Sequence, residues 1–486
     1  MMTTIRLATA VRRVLAGHVV ALGLMSSAFA GPQQETASPI GGGGVAPDCR
    51  ASATESERWR EAPQWLDRTE RTETDQWESL AAARFMAGDV RGALDAWNRV
   101  GQPRVRCVNV EGLVRTPRSL VIGYVDASSG NVLTAGAFTR MQHRLDEFPI
   151  ASRSSLRYDP VVGGATTITP IVTERGLMPE GLQSWGVVGV RSAFLQEVRV
   201  NVAGPAGRGE VWTPSYRWGE NRPRLMLRLD APSPGRLPGV IRFQTFVERQ
   251  TYQYEGLGDN AFTQARQRVG VSISDWATSW LRWEGGTAFD RIETNYVALE
   301  GSLNARAFDD RFAVILTAGR WLGGDERPAV WSTELVSTMR STTRDDEPLL
   351  TLIAGVARTS DSAPLALWPA VSSGDGRNGL LRAHPLRRDS VITDEVFGRH
   401  LVFGTTEFEY PFQTRIGQVG VAGFVDMAQS SRRLVRTLSS PFHVDVGTGV
   451  RFDASGTGKV RLDIGYGLRD GHVRLSAGYA IPWGRR

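Results

Sequence analysis

The chain has 486 residues, a formal charge of +6 and a mean hydropathy of −0.22. Nearly every basic residue is Arg, with Lys459 the one Lys, and no basic stripe interleaved with aromatics points to nucleic acid as a partner. After the first thirty residues no apolar run approaches the roughly eighteen residues of a spanning helix, which excludes a helical membrane bundle. The N-terminus itself has the form of a secretory signal peptide over residues 1–30. Arg6, Arg12 and Arg13 precede the apolar stretch from Val14 to Leu24, and Ala28-Phe29-Ala30 supplies a small-x-small cleavage site. An exported chain without a spanning helix is either a soluble β protein or a closed barrel, the other form that satisfies every backbone group in lipid.

Residues 31–52, with Gly41 to Gly44, read as a flexible leader. Cys49 and Cys107 are the only cysteines; in an oxidising compartment they either pair or stand as two separate thiols. Residues 53–100 turn helical. Trp77, Leu80, Ala81, Ala83 and Phe85 precede a Gly88-Asp89 turn, and Ala93, Leu94, Trp97 and Val100 follow at helical spacing. This helical hairpin resembles a single tetratricopeptide-like unit, which lacks the neighbours that a solenoid needs.

Residues 103–178 follow the order strand, helix, helix, strand, strand, a small α+β domain. Val105 to Val110 is the first strand, Thr116-Pro117 opens a helix, and Met141, Leu145 and Phe148 mark a second amphipathic helix. Two strands then flank Gly163-Gly164. From 183 to 486 the sequence breaks into about sixteen alternating segments, the first at 183–190 and the last at 471–482. Each is near the length of a tilted membrane strand. In the 459–468 segment Val460, Leu462, Ile464 and Tyr466 share one face while Arg461, Asp463 and Gly465 share the other. Trp212, Trp218, Trp276, Trp283, Trp321, Trp331 and Trp483 fall near segment ends, as an aromatic girdle would place them. The predicted fold class is therefore a transmembrane antiparallel β-barrel of about sixteen strands behind the α+β domain and the helical hairpin.

One connection, from about 358 to 399, is far longer than the rest and holds Gly379-Leu380-Leu381-Arg382-Ala383-His384-Pro385. Glu407-Phe408-Glu409-Tyr410-Pro411-Phe412 and Phe424-Val425-Asp426-Met427-Ala428 follow it. These segments resemble the inward-folded loop and the next two strands of the BamA/TamA-type outer-membrane assembly-factor superfamily. Ala383 and His384 stand where that family has Gly and an aromatic, and Ala428 stands where it has Gly. The α+β domain, with Val-Glu-Gly-Leu near its start and Arg-Leu-Asp-Glu-Phe-Pro closing its second helix, resembles a POTRA domain. The resemblance covers about residues 103–486.

By alternation, Glu407, Glu409 and Asp426 point inward while Phe408, Tyr410, Val425 and Met427 point to lipid. Arg382 then offers a planar guanidinium able to bridge Asp426 and one of Glu407 or Glu409, latching the loop inside the lumen for about 1–3 kcal/mol. The alternative is that these charges solvate the lumen independently. No nucleophile elbow, P-loop or i,i+4 His pair appears, so no catalytic residue, cofactor or metal site is expected. His384 reads as a structural loop residue, with a proton-responsive gate as its alternative. The resemblance implies an outer-membrane protein, its N-terminal domains periplasmic, that assists insertion, assembly or translocation of client polypeptides without nucleotide. Outer-membrane lipids, client outer-membrane or secreted polypeptides and periplasmic proteins reached through the hairpin and POTRA-like domain are the expected partners. A transport pore and a two-partner-type secretion exporter are the competing expectations.

Overall fold

The computed structural model describes residues 45–49 and 73–480, apart from positions 162, 180–184, 187, 190–191, 194, 235–238, 254–260, 324–328, 345, 373–377, 394–395, 415–416, 432–441 and 454–458. The predicted signal peptide, most of the leader, residues 50–72 and the tail with Trp483 lie outside the described residues.

Two helices, Glu73–Met86 and Val90–Asn98, are separated by Gly88 at φ +83° and capped by Asp89, whose carboxylate accepts the Gly92 N–H at 2.9 Å. Their inner face ends in Phe85 and Trp97, which pack on Tyr158 with ring centroids 5.2 and 6.3 Å away. Tyr158 belongs to a three-stranded sheet in which Ala165–Glu174 is the centre, Arg104–Val108 runs parallel to it, and Ala151–Val161 runs antiparallel. Helices Arg118–Val125 and Ala135–Asp146 complete this α+β domain; Thr134 caps the second by accepting the Ala137 N–H at 3.0 Å. Val121, Leu145, Phe148, Ile168 and Val172 form its core. A disulfide joins Cys49 to Cys107, and residues Val45 and Asp48 add bridges to Ser128 and Val108. The 104–108 strand thus has company on its outer side. The 151–161 strand is a sheet edge with no backbone partner beyond it among the described residues.

From residue 197 the chain winds into a closed barrel of consecutive antiparallel hairpins, ending with Val473–Ala480. Glu197–Arg199 and Val202–Ala203 are two halves of one interrupted strand, and Arg387–Arg388 with Val391–Ile392 forms a small ladder inside the long loop. The exposed outer face carries Val297, Leu299, Leu303, Leu316, Leu335, Val356, Val421, Val450, Leu462 and Ile464. Inward positions on other strands of the barrel carry ion pairs such as Arg242 with Asp230 and Glu284, both at 2.9 Å, and Arg266 with Asp290 at 2.6 Å. An apolar outside around a charged inside is the inverse of a soluble protein and defines a barrel embedded in lipid.

Two expectations change. The segment 183–190 is not a strand: residues 185–186 and 188–189 are helical, and Ser192 donates back to the Val188 carbonyl at 2.7 Å. Trp185, Val188, Ser192 and Leu195 recur at three-to-four spacing, so a helical period competes with the alternating one over so short a run. Trp276 and Trp321 are buried rather than on a girdle. Their indole N–H groups bond to Glu147 at 3.0 Å and Asp290 at 3.1 Å, so polar partners draw both rings to the inside.

Trp276 marks how the α+β domain meets the barrel. Arg144, 3% exposed, donates to both oxygens of Asp275, with one contact at 2.6 Å; Arg282 pairs with Glu147 at 2.8 Å and His143 with Asp310 at 2.7 Å. Asp275, Trp276 and Arg282 lie at strand ends and Asp310 in the 308–311 turn, all at the same end of the barrel, so the 135–146 helix and its C-terminal turn sit across one mouth. Gly209, at φ +72°, lets the 204–210 turn approach within van der Waals reach of the Phe148 ring. The long loop enters from the opposite end.

Candidate functional site

The strands His400–Thr414, Gly417–Ser431, Phe442–Asp453 and Lys459–Gly467 form one contiguous wall, each hydrogen-bonded to the next. Their period of two sends Glu407, Glu409, Asp426, Asp445, Arg451, Arg461 and Asp463 to the lumen, while Phe408, Tyr410, Val425, Met427, Leu462 and Ile464 are exposed outside. The register creates an electrostatic difficulty. Asp426 and Asp445 are directly opposite each other on neighbouring strands, and both have no accessible surface. Like charges so placed repel, and neither has water to screen it.

The long loop resolves this by delivering two nitrogen-rich side chains at alternate positions, Arg382 to Asp426 and His384 to Asp445. Arg382 is fully buried; its Nε lies 3.1 Å from Asp426 Oδ2, its Nη2 2.6 Å from Glu407 Oε2, and its Nη1 3.6 Å from Asp463 Oδ2. The guanidinium also lies over the Phe424 ring, 3.7 Å from the centroid, so one planar cation meets carboxylates along its edge and a π-face on its flat side. Arg451 completes the network, 2.9 Å from Glu407 and 2.6 Å from Asp463. The loop backbone lies close against the wall at Gly465, where a Cβ would come 3.0 Å from the Ala383 nitrogen.

Of the residues singled out from sequence, Arg382, Glu407 and Asp426 are brought together, and Glu409 is not: it pairs with Lys459 at 2.8 Å. Cys49 and Cys107 lie in the small domain, away from this wall. Asp463 and Arg451 belong to the same network. Alternation already put Asp463 on the inner face; which inner carboxylate meets the loop depends on strand register, which alternation does not encode.

His384 is also buried, its Nδ1 2.7 Å from Asp445 Oδ1 and its Nε2 2.6 Å from Asp470 Oδ2. The Ala383 N–H donates to the other Asp445 oxygen. Burial alone would push the imidazole pKa down, but the hydrogen bonds and charges of Asp445 and Asp470 outweigh it and hold the value above the ordinary range. The Asp470 carboxyl, in the 468–472 turn, is held below its usual range; desolvation opposes this, and the contact with His384 prevails.

The fold and this network define a transmembrane β-barrel whose own long loop is drawn inside and fastened to the wall by buried ionic contacts. CdiB from Escherichia coli has this fold: the two align over 92% of each chain with a TM-score of 0.52 at 12% identity. CdiB from Acinetobacter baumannii aligns over 96% of this chain and 97% of its own, at 8% identity and a TM-score of 0.48. BamA from Haemophilus ducreyi lacking POTRA domains 1–3 aligns over 77% of this chain and 83% of its own, at 12% identity and a TM-score of 0.45. No protein-family model matches the sequence, and no curated protein matches it.

Proposed function

We propose that the chain is an outer-membrane protein of the BamA/TamA-type superfamily that inserts, assembles or translocates polypeptides, with its α+β domain a periplasmic POTRA. The observation that carries this reading is the fully buried Arg382 inside the barrel, in contact with Glu407, Asp426 and Asp463. A diffusion pore that narrows its bore with an inward loop needs the loop held only at a wet wall, whereas here the fastening charges are buried at a desolvation cost. A barrel that must stay sealed at rest and clear its lumen or part its wall on demand needs such a fastening. Ionic contacts suit the task, because their strength depends steeply on how dry the surroundings are.

The outer edge at Ala151–Val161 supports the same reading. An unpaired strand edge facing the aqueous side is a template on which an extended client can add a strand, its backbone groups supplying affinity without sequence demands. Nothing in this scheme calls for nucleotide or a catalytic group. Export of one secreted polypeptide is the second reading, favoured by the correspondence with the CdiB fold along 92% of both chains.

Depletion of the protein followed by a census of the outer membrane and medium separates these readings. Loss of many different barrels supports assembly, and loss of a single exported polypeptide supports secretion. An unchanged census with altered solute permeability would sink both in favour of a pore.

A further inference from the structure

Sequence spacing contains no metal-ligand pattern, yet folding gathers three histidines and an aspartate from three separate stretches of chain. His384 comes from the long loop, His443 from the start of the 442–453 strand, and Asp470 and His472 from the 468–472 turn. His384 Nε2 lies 2.6 Å from Asp470 Oδ2 and 3.1 Å from His443 Nδ1, while His472 Nδ1 lies 3.1 Å from the same Asp470 oxygen. The donor atoms of His384, His443 and Asp470 all fall within 4.8 Å of one another. Hydrogen bonding alone serves this meeting point poorly: a proton on His384 Nε2 can point at the carboxylate or at the facing ring nitrogen, not squarely at both.

The far side of the His384 ring supplies a second, independent sign. Its Nδ1 is 2.7 Å from Asp445 Oδ1, and Asp445, with no accessible surface, has its other oxygen occupied by the Ala383 N–H. A buried carboxylate on Nδ1 holds the ring in place whether or not Nε2 carries a proton, so a cation that displaces the Nε2 proton meets a lone pair already aimed at it, with the support that ligating histidines ordinarily have behind them.

We propose that His384 Nε2, His443 Nδ1 and the Asp470 carboxylate bind a divalent transition-metal cation of the zinc or nickel type, with water or His472 completing the shell. Two imidazoles and a carboxylate suit such ions, whereas calcium and magnesium require more oxygen ligands than this cluster offers. Tetrahedral bonds of about 2.0–2.1 Å separate ligand atoms by a little over 3 Å. The His384–His443 separation of 3.1 Å already suits this, the His384–Asp470 contact of 2.6 Å has to open by somewhat more than half an ångström, and rotation of the Asp470 carboxylate on its turn adjusts the remaining side. Asp470 is part-exposed on its turn, which leaves a route for the ion from the loop end of the barrel. Occupancy ties the loop to the neighbouring strand and to the last hairpin, two residues from Arg382, and so locks the latch.

The test uses the full mature chain, without a polyhistidine tag, folded in detergent, stripped with EDTA and titrated with zinc chloride by calorimetry and with cobalt chloride by absorption. One equivalent is expected to bind, and cobalt is expected to give the intense visible bands of a nitrogen-containing tetrahedral site. His443→Ala and Asp470→Asn should each weaken binding at least tenfold. Asp445→Asn should weaken it by about 10–100-fold, as loss of a supporting carboxylate does. His143→Ala, at the other end of the barrel, should leave it unchanged. Should a variant fail to give a heat-modifiable folded band, the unsubstituted protein decides: zinc should slow proteolysis within residues 360–399 and EDTA should restore it. Absence of one-equivalent uptake by the folded protein, unchanged affinity in folded His443→Ala and Asp470→Asn, or zinc-independent proteolysis each overturns the proposal.

Discussion

Replacing Arg382 with alanine removes a cation that reaches three carboxylates, and the consequences at the three are unequal. Glu407 and Asp463 keep Arg451 at 2.9 and 2.6 Å. Asp426 has no accessible surface, and Arg382 is its one ion-pair partner among the described residues. Stripping the partner from a buried charge costs about 3–5 kcal/mol, and the lost cation–π contact with Phe424 adds about 1–2 kcal/mol. Most of the ionic part should therefore appear as coupling to position 426. In double-substitution cycles, Arg382→Ala with Asp426→Asn should show a coupling of about 2–3 kcal/mol, and Arg382→Ala with Glu407→Gln a coupling below about 1 kcal/mol. The assay is denaturant unfolding of the detergent-folded barrel, followed by heat-modifiable mobility and tryptophan emission. Single-channel recording should show larger or noisier conductance in Arg382→Ala. Strict additivity at 382 and 426, or a 407 coupling that exceeds the 426 coupling, would refute the latch geometry.

Gly465→Leu places a side chain where the backbone of Ala383 and Arg382 now lies, so it should release the loop without removing any charge; protease sensitivity within 360–399 should rise as in Arg382→Ala. Arg144→Ala leaves the buried Asp275 with Arg140 at 3.7 Å as its remaining ion-pair partner, and should free the α+β domain from the barrel mouth at a cost of about 2–4 kcal/mol. Cross-links between 135–146 and the 277–280 turn report it; undiminished cross-linking would mean that the remaining contacts, Arg282 with Glu147 and His143 with Asp310 among them, hold the domain without Arg144. Cys107→Ser, or reduction, should release the segment at 45–49 to proteases and destabilise the domain by about 4 kcal/mol on loop-entropy grounds. The Glu174 carboxyl is held below its usual range: burial opposes this, but the Thr116 and Arg115 N–H groups it accepts outweigh burial. Its contribution is thus complete above the ordinary carboxylate range and lost as pH falls through the lowered value. Glu174→Gln should cost about 1–2 kcal/mol near neutrality and make the domain less acid-sensitive, read as proteolysis of residues 151–174 against pH.

Period-two alternation was enough to place Phe408, Tyr410, Leu462 and Ile464 outside and Glu407, Asp426 and Asp463 inside, because the side-chain period of a strand is independent of what the strand pairs with. The gap between alternating segments marked the long connection, and Arg382 within it was marked by the resemblance of its segment to the inward-folded loop of the assembly-factor superfamily. What alternation cannot carry is register. Whether Glu409 or Asp463 meets Arg382 depends on how far each strand slides along its neighbour, and that is decided by turns and packing around the whole barrel. For the same reason the opposition of Asp426 and Asp445, and the meeting of His384 with His443 and Asp470, exist only after closure. At 183–190 a helical and an alternating period coexist in one short run, and tertiary context chose between them. Trp276 lies where a girdle residue would lie, but Glu147 from a separate domain claims its indole N–H. A sequence pattern reports the faces of an element; which distant element those faces touch is settled by the fold.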